Sequence, residues 1–221
     1  MQLLGVFLLA CCLVLIAGSS PTGYDVSQQI SNSSASCFES EGAKIVIPRG
    51  YCSTCEVDDV VCDSLMSAKN AGIKTRDVYM FPAPKCSRSA KQQLQDLINF
   101  LKGGCYDAWS GRVWLDIEGS QYWLGDCKKL RCCYVMISYT ATFYTPSHCF
   151  DQYFPHPIHN FLLILSLATS NRDWYQSLVD SCSDFGISCG VYSSSSQWSA
   201  IMGSTSYCYG SKLPLWYSYP A

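Results

Sequence analysis

The residues best placed to do chemistry lie in Trp114-Leu115-Asp116-Ile117-Glu118-Gly119, where two carboxylates stand one residue apart inside an apolar run. On an extended strand, side chains two positions apart emerge on the same face, about 6.6 Å apart along the chain. Two acids held that close do not both ionise readily, so one keeps a proton toward neutral pH while the other stays charged. Cleavage of a glycosidic bond requires such a pair. The alternative is an edge strand carrying two solvated acids, and the apolar neighbours Trp114, Leu115, Ile117 and Trp123 weigh against it. Gly119 ends the strand, which puts the pair at a C-terminal strand end, where parallel α/β sheets and barrels collect their active sites.

A sheet is needed to hold such a pair. β-Branched and aromatic content flanked by Gly or Pro predicts strands over 23–27, 43–47, 77–81, 112–117, 188–192 and 213–217. Helices are predicted between them. In 89–102, Ala90, Leu94, Leu97, Ile98 and Leu101 recur at helical spacing, with Gly103-Gly104 as the stop. A second helix is expected through Trp174, Leu178, Val179 and Cys182 before Gly186, and a weaker one through Val60, Val61, Leu65 and Ala68 before Gly72. Alternating strand and helix indicates a parallel α/β sheet or barrel.

Composition narrows the partners. A formal charge of −2, with no Lys/Arg-rich run, gives no field for nucleic acid. Residues 1–19 have the shape of a signal peptide, uncharged and continuously apolar from Leu3 to Ala17, too short to span a bilayer. Export and no stable membrane insertion after signal removal are therefore expected. Of 15 cysteines, Cys11 and Cys12 leave with the signal, and 13 enter an oxidising compartment. Cys52-Ser53-Thr54-Cys55 has CxxC spacing, but with no second such pair structural disulfides are favoured over a metal, and no cofactor is called for. Asn32-Ser33-Ser34 fits an N-glycosylation site. The segment 126–170 stands apart: it has no Gly, is rich in aromatics and holds all three histidines, His148, His156 and His159, which are read as non-functional.

Several stretches, taken in order, carry a family likeness: Gly23-Tyr24-Asp25-Val26-Ser27, Ile47-Pro48-Arg49-Gly50-Tyr51, Thr75-Arg76-Asp77-Val78-Tyr79-Met80-Phe81-Pro82, the Asp-Ile-Glu strand, Gly190-Val191-Tyr192-Ser193-Ser194 and Leu213-Pro214-Leu215-Trp216-Tyr217. With them the chain resembles the Chalaropsis-type lysozymes, glycoside hydrolase family 25, in their secreted, cysteine-rich eukaryotic branch. The resemblance implies a modified β/α (TIM-like) barrel over residues 20–221. It also implies hydrolysis of the β-1,4 bond between N-acetylmuramic acid and N-acetylglucosamine in bacterial peptidoglycan, in defence against bacteria or in their digestion. By position, Glu118 would be the general acid, Asp116 its partner and Asp25 a further acid of the site. Tyr79, Tyr192 and Trp216 would line the sugar groove, and Asp77 would hydrogen-bond to sugar or to Arg49. The family's chemistry favours attack by the sugar's own acetamido oxygen, oriented by Asp116. A chitinase of the acidic-motif type also needs Asp at positions 111 and 114, which here are Gly111 and Trp114. A carbohydrate-binding or immune-recognition protein on the same fold is the rival from another class.

Two departures qualify the likeness. Segment 126–170 falls where the family has a short connection, as retained intron sequence would. After Tyr217 the chain stops at Ala221, where the family continues, so about six of the eight family strands are expected and one side of the cleft should be open. Outside the signal and 126–170, nine cysteines remain, an odd number. Low or no wall lysis is expected of the 221-residue chain, and robust lysis of a form lacking 126–170 with a full C-terminus. Oligomeric state leaves no mark in the sequence.

Overall fold

Alternation of side chains along each strand decides which residues meet helices and which meet solvent. The computed structural model describes residues 23–124 and 157–217, with backbone only for 157–167. Six strands follow one another in sequence order across the sheet: β1 (Gly23–Val26), β2 (Ile45–Cys52), β5 (Val78–Met80), β6 (Arg112–Asp116), β7 (Ser188–Ser193) and β8 (Leu215–Tyr217). All neighbours on this path are parallel. Two short strands flank β2, β3 (Glu56–Val57) antiparallel and β4 (Thr75–Arg76) parallel. The sheet curls into a half-barrel, and among the described residues β1 and β8 do not pair with each other.

Five α-helices are described: α1 (Asn32–Ser40), α2 (Val61–Asn70), α3 (Ala90–Gly104), α4 (Pro157–Asp184) and α5 (Ser195–Met202). Val78, Met80, Val113, Leu115, Cys189 and Val191 turn outward and are buried with Leu94, Leu97, Ile98 and Leu101 of α3 and Leu178 and Val179 of α4. The opposite set faces the concave side: Tyr79, Trp114 and Gly190 lie in register, and so do Asp116, Tyr192 and Trp216. A smaller core of Ile30, Ala35, Ala43, Val46, Ala68 and Ile73 sits under α1 and α2.

The strands stand where periodicity predicts them, with informative exceptions. β2 runs on to Cys52 through Pro48, a residue that usually argues against an inner strand, and the ladder to β5 shifts register between Arg49 and Tyr51. The predicted stop at Gly103-Gly104 is overrun, because α3 includes both glycines. Gly104 serves close approach instead: a Cβ there would lie 3.0 Å from the sulfur of Cys62, which is bonded to Cys105. Helix α1 carries few apolar residues, and α5, eight residues long, shows only the brief spacing Trp198, Ile201 and Met202; neither was predicted. Both start on serine caps, Ser31 accepting from the Ser34 amide and Ser194 from the Gln197 amide. The run Ser193–Ser196, which reads as low complexity, is therefore a strand end, a cap and a first helical turn.

Disulfides join Cys55 to Cys86, Cys62 to Cys105 and Cys182 to Cys189. Cys37, Cys52 and Cys208 form no disulfide among the described residues. Asn32, of the glycosylation motif, is exposed at the start of α1. Helix α4 takes in residues 157–170 of the segment set apart in the sequence. The signal segment, His148 and His156 lie outside the described residues, as do Cys127, Cys132, Cys133 and Cys149. Asn171, fully buried, accepts a hydrogen bond from the Leu124 amide (3.0 Å) and donates to the Ile201 carbonyl (2.9 Å). It thus ties the end of the β6 connection to α5.

On the concave side, a Cβ at Gly190 would lie 2.5 Å from the Trp114 ring. Gly190→Ala is expected to cost about 1–3 kcal/mol, read as a lower urea midpoint at unchanged slope.

Candidate active site

Each strand of the half-barrel delivers a side chain to one cleft at the C-terminal strand ends. The cleft has a volume of about 220 Å³ and holds Asp25 from β1, Arg49 from β2, Tyr79 from β5, Asp116 from β6, Tyr192 from β7 and Trp216 from β8, with Glu118 and Phe81 just beyond their strands. That volume is below the roughly 300–1,000 Å³ of drug-sized pockets.

The carboxylates are the chemical centre. Asp116 is 5% exposed, and its Oδ1 has no hydrogen-bond partner among the described residues. Burial first, then repulsion from Glu118 and Asp25, pushes its carboxyl up to about 8. Glu118 is likewise raised, by burial and then by Asp25. The pair therefore gives up its last proton chiefly from Asp116.

The backbone around Glu118 is anchored on both sides. Its carbonyl accepts from Trp123 Nε1 (3.1 Å), and the next amide, Gly119, donates to Gln197 Oε1 (3.2 Å). Gly119 has φ 63°, and a Cβ there would lie 2.7 Å from the Tyr122 ring, so this turn requires glycine. The Ile117 amide donates to the Tyr192 carbonyl (2.9 Å) and Ser193 Oγ donates to the Ile117 carbonyl (2.8 Å), extending the ladder past Asp116.

The aromatic wall is continuous. Trp216 meets Tyr192 edge-on at 4.9 Å and Trp114 at 5.8 Å. Burial raises the Tyr79 phenol far above its ordinary range, so it stays a hydrogen-bond donor.

Of the residues singled out in the sequence, Asp25, Asp116, Glu118, Tyr79, Tyr192 and Trp216 come together in the cleft. Asp77 does not. It lies two residues before Tyr79 on the same face, hence deeper in the half-barrel, where its carboxylate accepts from Trp114 Nε1 (3.0 Å) and burial raises its pKa. Nor does it reach Arg49, whose Nε is taken by Asp58 (2.8 Å). Phe81 and Gln197 escape the sequence reading. Phe81 was open to it, since it continues the alternation Asp77, Tyr79, Phe81, whereas Gln197 arrives from a helix that the sequence hides.

A curled parallel sheet with helices packed on its outer face is the architecture of an incomplete β/α barrel. Solved muramidases from Acremonium alcalophilum and Trichobolus zukalii share it. Each has a TM-score of 0.53 over 90% of this chain, at 14% and 18% identity, covering 77% and 76% of those proteins. A family model described as "Lysozyme-like protein 1" matches residues 18–137 and 164–220. The chain is 34% identical over 91% of its length to "Probable GH family 25 lysozyme 2" of Dictyostelium discoideum, covering 73% of that protein. It is 31% identical over 96% to "Probable GH family 25 lysozyme 4" of the same organism, covering 78%. The chain belongs to the lysozymes of glycoside hydrolase family 25.

Because the Asp116 carboxyl titrates near 8 in the folded chain and near 3.8 ordinarily, the native state holds that proton more tightly. Its stabilising contribution is complete below about pH 4 and lost as pH rises toward 8. Asp116→Asn should remove this slope and raise stability at pH 8 by on the order of a few kcal/mol while leaving pH 4 unchanged. Urea midpoints at the two pH values test this.

Proposed function

We propose that this glycosidase hydrolyses the β-1,4 bond between N-acetylmuramic acid and N-acetylglucosamine in bacterial peptidoglycan, with Glu118 as general acid and Asp116 as the group that orients the substrate's acetamide. The observation that carries the reading is the buried, unpartnered Oδ1 of Asp116 beside Glu118 in the cleft. An acetamido N–H is the donor this oxygen lacks. Accepting it favours the charged form of Asp116 and leaves the shared proton to Glu118, which needs it. The acetamido oxygen then attacks the anomeric carbon as the glycosidic bond breaks, and the Glu118 proton goes to the leaving oxygen. Water, deprotonated by Glu118, opens the cyclic intermediate with net retention. Tyr79, Tyr192 and Trp216 pack the sugar faces, and Asp25 adds the negative charge that keeps protons on the pair.

Relatives named lysozymes and a fold shared with muramidases support this substrate. Action outside the cell belongs to the same proposal, supported by the apolar leader and by three disulfides. Bacteria as food or as invaders would both meet it there.

Clearing of a bacterial wall suspension tests the reading. The chain should clear slowly, and Glu118→Gln should reduce clearing by roughly 10²–10⁴-fold while wall binding persists. Binding without clearing in both forms would favour a carbohydrate-binding protein. Activity needs one proton on the acid pair, so it should fall as pH rises through about 8 and fall again once both acids are protonated. The first product anomer by NMR should show retention, and inversion would rule out acetamido attack.

A further inference from the structure

The cleft has two chemically different ends. Asp25, Asp116 and Glu118 crowd one of them, and the upward shifts of Asp116 and Glu118 arise from burial, from Asp25 and, at Asp116, from Glu118, with no contribution from Arg49. The guanidinium of Arg49 lies instead beside Tyr79, Asp58 and Cys52. It lines the cleft without neutralising the catalytic acids.

Arg49 is also held in an unusual way. Its Nε donates to Asp58 Oδ2 at 2.8 Å, and the Asp58 side chain is 9% exposed against 32% for Arg49. Asp58 is itself fixed by backbone bonds, its amide donating to the Gly50 carbonyl (3.0 Å) and its carbonyl accepting from Val61 (3.1 Å). One donor of the guanidinium is thus used to aim it. Neither Nη nitrogen has a hydrogen-bond partner among the described residues. An arginine has five N–H groups in a planar fork, and four of them here are unspent on protein. A salt bridge that merely closed the β2–β3 hairpin would have no need to present them at the cleft.

We propose that Arg49, clamped by Asp58, forms a subsite for a carboxylate carried by the glycan. The ligand class is an acidic substituent on the muramic acid unit, either its lactyl carboxylate or a carboxylate of an attached stem peptide. Neutral N-acetylglucosamine chains offer neither, so the subsite separates bacterial wall from chitin-like glycan. The inference rests on the muramidase reading and deepens it. Asp58 is a positioning residue, acting only through Arg49.

The test uses the full chain and four substrates: glycan strands freed of peptide, strands bearing stem peptides, and each of these with its carboxylates converted to methyl amides. For whichever substrate supplies the carboxylate, KM should be roughly tenfold lower than for its amide-capped form, with kcat within twofold. Arg49→Gln should raise KM for the free-carboxylate substrate to the capped level and leave KM for the capped substrate unchanged. Arg49→Lys should keep part of the preference, and Asp58→Asn should lose it while the pH profile of kcat stays put. Equal KM for all four substrates would overturn the proposal, as would an Arg49→Gln form that loses capped and uncapped substrates alike. Equilibrium binding of the same four to the Glu118→Gln form reads the subsite without turnover. Absence of any glycan binding by that form would therefore sink the muramidase reading, and binding without carboxylate preference would sink the subsite.

Discussion

Everything about the cleft depends on the outward burial of alternate residues in β5, β6 and β7 against α3 and α4. Val113 and Leu115 are fully buried in that contact, and because strand side chains alternate, Trp114 and Asp116 have only the concave side left to them. A slip of one residue would send the acids into the helical layer and the leucine into the cleft. The apolar packing of one face is thus the physical cause of the polar chemistry on the other. The capping box that starts α3, Ser89 with Gln92, belongs to the same chain of cause, since α3 brings Leu94, Leu97, Ile98 and Leu101 to the core on which the strands are set.

Burial then does a second thing. It leaves Asp116 5% exposed, with no donor to its Oδ1 among the described residues, and the carboxyl answers by holding its proton. The destabilisation and the chemistry have one origin, because a solvated Asp116 would sit at ease near its ordinary pKa and have no unmet demand for a substrate N–H. Arg49 shows the opposite solution, a charge aimed by a nearly buried partner with its donors left over. One cleft therefore contains a group starved of hydrogen bonds and a group with hydrogen bonds to give.

Much of this was legible in the sequence. The strand positions, the principal helix and the acid pair follow from period-two and period-3.6 patterns, and the order of short motifs points to the family. The signals that failed were those without a periodic apolar stripe. Helix α1 buries only Ala35 behind its serine cap, and α5 is so short that Trp198, Ile201 and Met202 make a single turn of stripe. Asp77 stands apart from the cleft for another reason: a shared face fixes direction but not depth, and its carboxylate accepts from Trp114 Nε1 two residues before Tyr79. Arg49 was visible as a residue but not as a site, because its role comes from Asp58, nine positions on and brought back by a hairpin.

The hydrogen bond from the Leu124 amide to Asn171 closes the chain on itself across 47 positions, just where β6 hands over to α4. The match to the family model breaks off after residue 137 and resumes at 164, inside that closed span. One buried side-chain amide thus pins the chain that leaves the cleft to two helices at once, and the acids a few residues upstream keep their register whatever departs from the family beyond Leu124.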